Sequence, residues 1–575
     1  MSSANRSWPS AGVVLLIAFA VFYLVTLGIR PLSRPDEFRY AEIAREMLTS
    51  GDWVTPRFNG VRYFEKPVLG HWVNAASLAV FGENAFAVRL PMALTTGLTA
   101  LFLHGFVRRQ TRRAALAIDT STIQLSFLAV WAMGSMAILD PILGLWLTLS
   151  VGLWYESHVA PPAKRRRLQA LVGICCGLAF LTKGFLALAI PVLIVGPFLA
   201  WQRDWRRLLD DAWLPVLVAA AVVAPWGLLI HSHEPDFWRY FFWEEHIRRY
   251  FSGERAQHSQ PFWLFFAALP AMALPWTFHA PAALLGLRRA SPELQLDPRL
   301  LRFTVLWFAM PLLFFSASSG KLLSYILPCF PPLALLLAHG VERYRASGRR
   351  IALERGTVGL ALLFAAGFGY LLGNGLGAFG KPLFGAGESP RWILSLAACA
   401  WGAWIAGRHA RRAADDPVSV LGISLAGLLL AIPVVIPDAT RDSKMPGPFL
   451  EEQKALVAPD AVIIVKGQLV GSVAWVFKRS DLYVFEPNEL EYGLSQPDAA
   501  GRGVDSAGIR RLIQANAGKR DVLIITRVKD NARAAAVVPP DTRHAQQGAL
   551  AAWYITAAKP DPDAQSMTST LAPRM

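Results

Sequence analysis

Apolar residues in this chain gather into runs long enough to cross a bilayer, and short Arg-rich stretches separate them. With a window of about 19 residues the pattern predicts roughly thirteen spans. They lie near residues 11–29, 85–107, 114–133, 141–156, 168–182, 185–201, 212–231, 262–287, 303–317, 322–341, 356–373, 390–407 and 418–436. A spanning helix needs about 20 mostly apolar residues, and the third to fifth runs are the shortest or most polar. No small-residue cleavage site follows the first run, which therefore predicts an uncleaved helix rather than a signal peptide.

The long polar intervals predict the rest. The first loop, about 30–84, is too long for a simple turn. Within it, Ser33-Arg-Pro-Asp36 predicts a helix start, with Ser33 as N-cap, Pro35 in the first turn and acids at the positive end of the dipole. Asp36, Tyr40, Ile43 and Met47 then share one helical face, and Gly51 ends the helix. A second amphipathic stretch, 68–81, suits the membrane interface. The other long outer loop, 232–261, is aromatic and charged together. Beyond Pro437 the pattern changes. Residues 461–465 and 521–526 read as buried strands and 507–516 as a helix between them, so 437–575 is expected to be a small α/β domain behind a membrane domain at 1–436. That tail carries no glycine-rich phosphate loop and no nucleophile elbow, which favours a binding or shaping role. The fold class is thus a polytopic α-helical membrane protein with a C-terminal soluble α/β domain.

Composition agrees. The chain is 54% hydrophobic and 17% charged, against roughly 25% charged residues in soluble domains. The Arg-rich loops at 108–113, 161–167, 202–207, 288–302, 342–350 and 408–412 all follow even-numbered spans. The positive-inside rule then puts the N-terminus in the cytoplasm, and an odd span count puts the tail outside with the 34–67 loop. The net charge of +16 is therefore topological, scattered over many loops. A nucleic-acid partner would need one concentrated basic face. Cys175, Cys176, Cys329 and Cys399 lie in or beside spans with no metal spacing and read as small packing residues. No internal repeat is evident, which weighs against a transporter.

Ionisable groups at a membrane edge are functional candidates, because burying them is costly unless they are paired. Those on the outer side are Asp36, Arg39, Tyr40, Tyr63, Glu65 and Lys66 in the first loop, Asp140 before Pro141, and Lys183 between two spans. Glu244, Glu245, His246, Arg248 and Arg249 occupy the second loop, and Lys321 and Tyr325 follow Ser319-Gly320. Each has a plainer explanation. Asp36 completes a capping box with Ser33, Asp140-Pro141 is a common helix start, Lys183 snorkels, Glu65 and Lys66 form a solvated pair worth little, and His246 is a surface histidine. It is their common side that favours chemistry.

RPDEFRYAEIAREMLTSGDWVTPRFNGVRYFEKPVLGHW, residues 34–72, resembles the first periplasmic loop of the bacterial undecaprenyl-phosphate-aminoarabinose:lipid A transferases. These belong to the glycosyltransferase C superfamily and are related to protein O-mannosyltransferases. Ala137-Ile-Leu-Asp-Pro141, Leu181-Thr-Lys-Gly-Phe185 and the order of spans followed by a tail domain fit the same pattern. The resemblance covers the membrane part well and the tail in outline. It implies that Asp36 is the catalytic first-loop acid and Asp140 a second acid near it. It also implies transfer of 4-amino-4-deoxy-L-arabinose from undecaprenyl phosphate to lipid A phosphates in a Gram-negative inner membrane, with the site and tail facing the periplasm. That reaction lowers lipopolysaccharide charge and gives polymyxin resistance.

For that chemistry, Arg39, Lys66, Lys183, Arg248, Arg249 and Lys321 are candidates to grip phosphates, with Tyr40, Tyr63 and Tyr325 adding hydrogen bonds. A phosphate acceptor is already ionised near neutral pH and needs no strong base. Asp36 and Asp140 would then orient the donor or pair with its ammonium. Glu65 with His246 suits one divalent cation such as zinc. No nucleotide cofactor is expected, and a monomer in membrane lipid suffices. The alternatives are a lipid-linked sugar transferase acting on protein hydroxyls and a lipid or polymer transporter.

Overall fold

The computed structural model describes residues 8–248, 260–288, 294–540 and 542–557. Helices form at each predicted span. They begin with α1 (Trp8–Phe19), which continues into a π-helical turn, Ala20–Leu24. By length and composition five helices among the described residues can cross a membrane: Ala85–Thr111, Arg206–His233, Pro298–Ala317, Leu323–Ala346 and Ile351–Gly375. A sixth span is possible if Ala114–Ser126 and Leu128–Gly134, bent by 64°, act as one. The remaining runs are shorter, more polar or broken. The 262–287 run, for instance, divides into Leu264–Met272, a 3-10 turn Trp276–His279 and Ala280–Arg288. The molecule is thus a multi-pass membrane protein with a sheet-containing tail.

The first loop folds as α2 (Asp36–Ser50), a two-residue hairpin β1 (Arg57–Phe58) and β2 (Val61–Arg62), and α3 (Leu69–Phe81). Gly51 ends α2 at φ +71°, a left-handed conformation that other residues reach only at a cost. The helix start differs from the sequence expectation. Ser33 does not cap α2; its backbone N–H and hydroxyl both donate to Glu37, at 2.8 and 2.9 Å. The reason is that Glu37 is the acceptor at the centre of this turn, receiving Arg30 and Arg89 as well. Four helices follow: α4 (Ala85–Thr111), α5 (Ala114–Ser126), α6 (Leu128–Gly134) and α7 (Asp140–Val159). Next come α8 (Pro162–Lys183), α9 (Leu186–Gln202) and α10 (Trp205–His233). Gly173 and Gly177 let α8 approach α10 closely. A Cβ on either would come within 2.7 Å of the facing residues Pro215, Val218 or Val222, the small-residue contact that packs helices in lipid.

The tail holds a five-stranded sheet in the order β4-β3-β5-β7-β6. Its strands are β3 (Val462–Lys466), β4 (Tyr483–Phe485), β5 (Val522–Arg527), β6 (Arg543–Gln547) and β7 (Leu550–Ile555). The two strands read from the sequence, β3 and β5, are the central parallel pair, with Ile464 opposite Ile524. The tail does not stand apart from the first loop. Phe38, Ile43, Phe58 and Tyr63 share one buried core with Ile463, Val470, Trp475 and Leu523. Asn59 exchanges hydrogen bonds with Leu482 at 3.1 and 3.0 Å. Apolar burial of this kind, at about 25 cal/mol per Å2, holds the tail sheet against α2, close to the groups described next.

Candidate active site

One cavity of about 430 Å3 gathers most of the candidate side chains. α2 contributes Asp36, Arg39 and Tyr40; the segment after β2 contributes Glu65 and Lys66; Asp140 opens α7 and Lys183 ends α8. Tyr325 comes from the 3-10 turn Leu323–Cys329, and Phe314, Phe315 and Leu186 make an apolar side. Two acids complete it that carried no assigned role in the sequence reading: Glu245, in the π-helical segment Tyr240–Arg248, and Glu489, from the tail.

Each of the three cations has a carboxylate partner. Arg39 donates to Asp36 at 2.7 Å, Lys66 to Glu245 at 2.6 Å and Lys183 to Asp140 at 2.8 Å. The second arm of Arg39 reaches Glu489 at 3.2 Å and the Tyr63 hydroxyl at 3.3 Å. Lys183 also lies 4.8 Å from the ring centroid of Tyr325, within cation–π range. Each charge is thus held by a partner, and each ammonium or guanidinium still borders open space that a phosphate oxygen can enter. Burial pushes the Tyr40 and Tyr63 hydroxyls well above the ordinary phenol range, so both stay protonated donors. Burial, and then the neighbouring Glu245 carboxylate, raises Glu65 to about 7.

Several plain explanations fail here. Lys183 does not snorkel, because its ammonium turns inward to Asp140. Glu65 and Lys66 are not a solvated pair: Glu65 is buried, and Lys66 donates to the backbone carbonyl of Glu65 and to the carboxylate of Glu245. Asp36 answers Arg39 rather than a capping box. Tyr63 stands behind the cavity wall and fixes Arg39 and Glu65 from there. Lys321 is a correction. Its ammonium donates to the backbone carbonyls of Gln260 and Ser318, and it is absent from the cavity lining, because the turn 318–321 folds back on its own chain. The side chains of His246 and Arg248, and the whole of Arg249, lie outside the described residues. Among the described residues no group of three or more His, Cys, Asp or Glu is arranged to hold a metal.

Behind the cavity sits a buried node that the sequence reading missed. Arg89 of α4 is fully buried and clamps Glu37 at 2.7 and 2.9 Å while donating to the carbonyls of Leu27, Arg30 and Pro31. Glu37 also accepts from Arg30 at 2.7 Å and from the backbone N–H of Ala137 at 3.1 Å. Burial alone would raise the Glu37 carboxyl, but the hydrogen bonds and charges of Arg89 and Arg30 hold it well below the usual carboxylate range. The node ties the end of the first membrane segment, the start of α2 and the turn leading to Asp140 into one frame. An arginine inside the apolar run 85–107 was the available signal.

Apolar spans, a charged cavity beside them and a tail domain docked on the first loop define a class of membrane-embedded glycosyltransferase. Residues 10–241 match the family Dolichyl-phosphate-mannose-protein mannosyltransferase, and residues 441–554 match Arabinosyl transferase ArnT, C-terminal domain. The fold is similar to that of ArnT from Cupriavidus metallidurans, solved bound to undecaprenyl phosphate, with a TM-score of 0.79 over 97% of this chain and 100% of that one at 24% identity. An undecaprenyl phosphate-alpha-4-amino-4-deoxy-L-arabinose arabinosyl transferase from Shewanella sediminis is 39% identical over 86% of this chain and 90% of its own length. The protein of the same description from Pseudomonas aeruginosa strain UCBPP-PA14 is 38% identical over 97% and 100%. The chain belongs to this family of arabinosyl transferases.

Proposed function

We propose that this protein transfers 4-amino-4-deoxy-L-arabinose from undecaprenyl phosphate to a phosphate of lipid A, at the periplasmic face of a Gram-negative inner membrane. The observation that carries the reading is the cavity in which Arg39, Lys66 and Lys183 are each set against a carboxylate at the edge of the apolar helices. Family membership names the donor class, and thirteen crossings with the tail outside would place this cavity in the periplasm. The protein is proposed to act as a monomer. Adding an amino sugar would lower the negative charge of lipopolysaccharide and weaken polymyxin binding.

The reaction asks for little covalent help. Attack at the anomeric carbon needs a stabilised phosphate leaving group and an aligned acceptor. Lys183 and Lys66 would take the donor phosphate, Arg39 the acceptor, and Tyr40 and Tyr325 would add directional contacts. The apolar side of the cavity would admit the lipid chain. Glu65 sits buried beside Glu245 and, with His246, would hold a divalent cation such as zinc, which supplies further charge for the leaving phosphate.

The direct experiment is mass spectrometry of lipid A from cells with and without this gene. Loss of an aminopentose mass on lipid A phosphates supports the proposal, and unchanged lipid A sinks it. The orientation has its own check. A periplasm-dependent reporter fused after Pro437 should be active and one within 161–167 silent; the reverse pattern would strip the cavity of its substrates.

Asp36→Asn separates phosphate from hydroxyl acceptors. It keeps the shape and loses the charge beside Arg39, and activity should fall at least about tenfold, the scale of one charge-assisted hydrogen bond. Raising the pH above about 7 should not restore it, because a phosphate acceptor is by then already ionised. A residual rate that climbs with pH would instead mark Asp36 as a general base for a hydroxyl, the chemistry of transfer to protein.

A further inference from the structure

We propose that the tail domain holds a binding site for a neutral sugar, in a cavity on the sheet face turned away from the first loop. The site is separate from the transfer reaction and stands whether or not that reading holds. The cavity measures about 470 Å3, within the range of sites for small organic ligands. Its place follows from the sheet topology. β3, β4 and β5 run parallel, and the chain passes from central β3 to β4 on one side, then back to β5 on the other. Ligands of open α/β sheets bind beyond the carboxyl ends of the strands, where the strand order reverses. The cavity lies there, lined by Phe485 at the end of β4 and by Ile524 and Thr526 near the end of β5. Leu523 and Ile525 of β5 face the core shared with the first loop. Val522 and Ile524 instead join a separate core with Ile509 and Ile513 of the helix Ser506–Asn516. Thr526 continues that second face by the two-residue alternation of a strand.

Thr526 distinguishes this cavity from a packing gap. The residue is fully buried, yet its hydroxyl has no hydrogen-bond partner among the described residues. An unpaired buried hydroxyl is destabilising, so a ligand group that pairs with it is favoured. The other polar groups select the chemistry of that ligand. Lys466, at the end of β3, donates to Glu486 at 2.8 Å and to Asp530 at 2.6 Å, and Arg533 reaches Glu486 at 2.9 Å. Two carboxylates thus answer two cations, and this wall favours neither an anion nor a cation. The start of the helix Ser506–Asn516 would attract an anion, but the Asp505 carboxylate already accepts there from the Gly508 N–H at 2.7 Å. What the lining offers is acceptors on Glu486 and Asp530, donors on Arg533, hydroxyls on Ser506 and Thr526, and apolar surface on Phe485. A sugar ring, with hydroxyls round its edge and C–H groups on its faces, matches that set. The same wall is continuous with the active site. Three residues after Glu486, Glu489 lines the first cavity beside Arg39. Glu486 and Asn488 both take left-handed conformations, at φ 49° and 54°, and so turn the segment from one cavity to the other.

The test measures binding of two neutral disaccharides, maltose and N,N′-diacetylchitobiose, to the full-length protein in glycolipid-free nanodiscs by saturation-transfer NMR. At least one should bind saturably, and equimolar inorganic phosphate should not displace it. Thr526→Val keeps the side-chain shape and removes the unpaired hydroxyl, so the variant should melt no lower than wild type. Its affinity for the disaccharide should nevertheless fall about tenfold, the scale of one hydrogen bond to a buried group. Arg533→Ala, at a side chain 79% exposed, should fold normally and also weaken binding, by at least about threefold. A lipooligosaccharide added to the nanodiscs separates the two sources of such a ligand. Displacement of the disaccharide assigns the site to a glycolipid head group and its absence to a free sugar, and either supports a sugar site. No saturable binding of either disaccharide, displacement by phosphate, or binding that both variants leave unchanged overturns the proposal. Should Thr526→Val fail to fold, Arg533→Ala decides alone, and unchanged affinity overturns it. Transfer to lipid A is not the readout, so failure here leaves the proposed function standing.

Discussion

Arg89→Met is expected to destabilise the protein by about 3–5 kcal/mol, the cost of stripping one partner from a buried ion pair. Methionine fills much of the arginine's volume but returns none of its five hydrogen bonds. Three backbone carbonyls, of Leu27, Arg30 and Pro31, would be left short of a donor, and the Glu37 carboxylate would keep only Arg30, Ser33 and Ala137. A fall of many degrees in the thermal midpoint of detergent-solubilised protein, with a low yield of folded material, is the expected reading. Activity should fall further than stability, because Glu37 positions both α2 and the turn before Asp140. Glu37→Gln with Arg89→Met should recover part of the stability, since the buried carboxylate is gone, and only part, since Arg30 loses its carboxylate partner. A single variant that melts like wild type would show that the node carries no such load.

That node marks the limit of what the sequence made legible. Periodicity found the five long apolar helices among the described residues and the central strands β3 and β5, because a continuous apolar run leaves few alternatives. Eight candidates, Asp36, Arg39, Tyr40, Glu65, Lys66, Asp140, Lys183 and Tyr325, meet in one cavity, and the shared side inferred from charge anticipates that meeting. What stayed hidden depended on long-range contact. Glu37 is next to Asp36 and looks like one more first-turn acid, until Arg89, 52 residues away, is seen to clamp it. Glu489 had no local signal at all, because its position follows from how the tail packs on the first loop. Lys321 was misread for the converse reason: a lysine beside a glycine looks like a phosphate ligand, and nothing local reveals that the turn directs its ammonium to backbone carbonyls. Helix boundaries failed in the same way at Ser33, where a standard capping sequence lost to a stronger acceptor.

Lys183 is where the largest loss of activity is expected. Its ammonium closes the end of α8 against Asp140, 2.8 Å away, and against the face of Tyr325, so that it is held before substrate arrives. A fixed charge of this kind, aimed at a leaving phosphate in a site shielded from water, contributes about 10²–10³ in rate. Lys183→Met should therefore reduce transfer by about that factor in kcat. The variant also leaves Asp140 without its cation in a largely buried site, and a structural explanation of the loss has to be separated from a catalytic one. The double variant Lys183→Met, Asp140→Asn makes that separation, because it removes both charges and restores electrical neutrality. Thermal stability should return towards wild type in the double variant while transfer stays low. If transfer returns with stability, Lys183 serves to neutralise Asp140 and the donor phosphate must be held elsewhere. Lys183→Arg adds a geometric control: it keeps the charge, but its planar fork cannot sit at once on Asp140 and over Tyr325 as a compact ammonium does, so activity should fall between wild type and methionine.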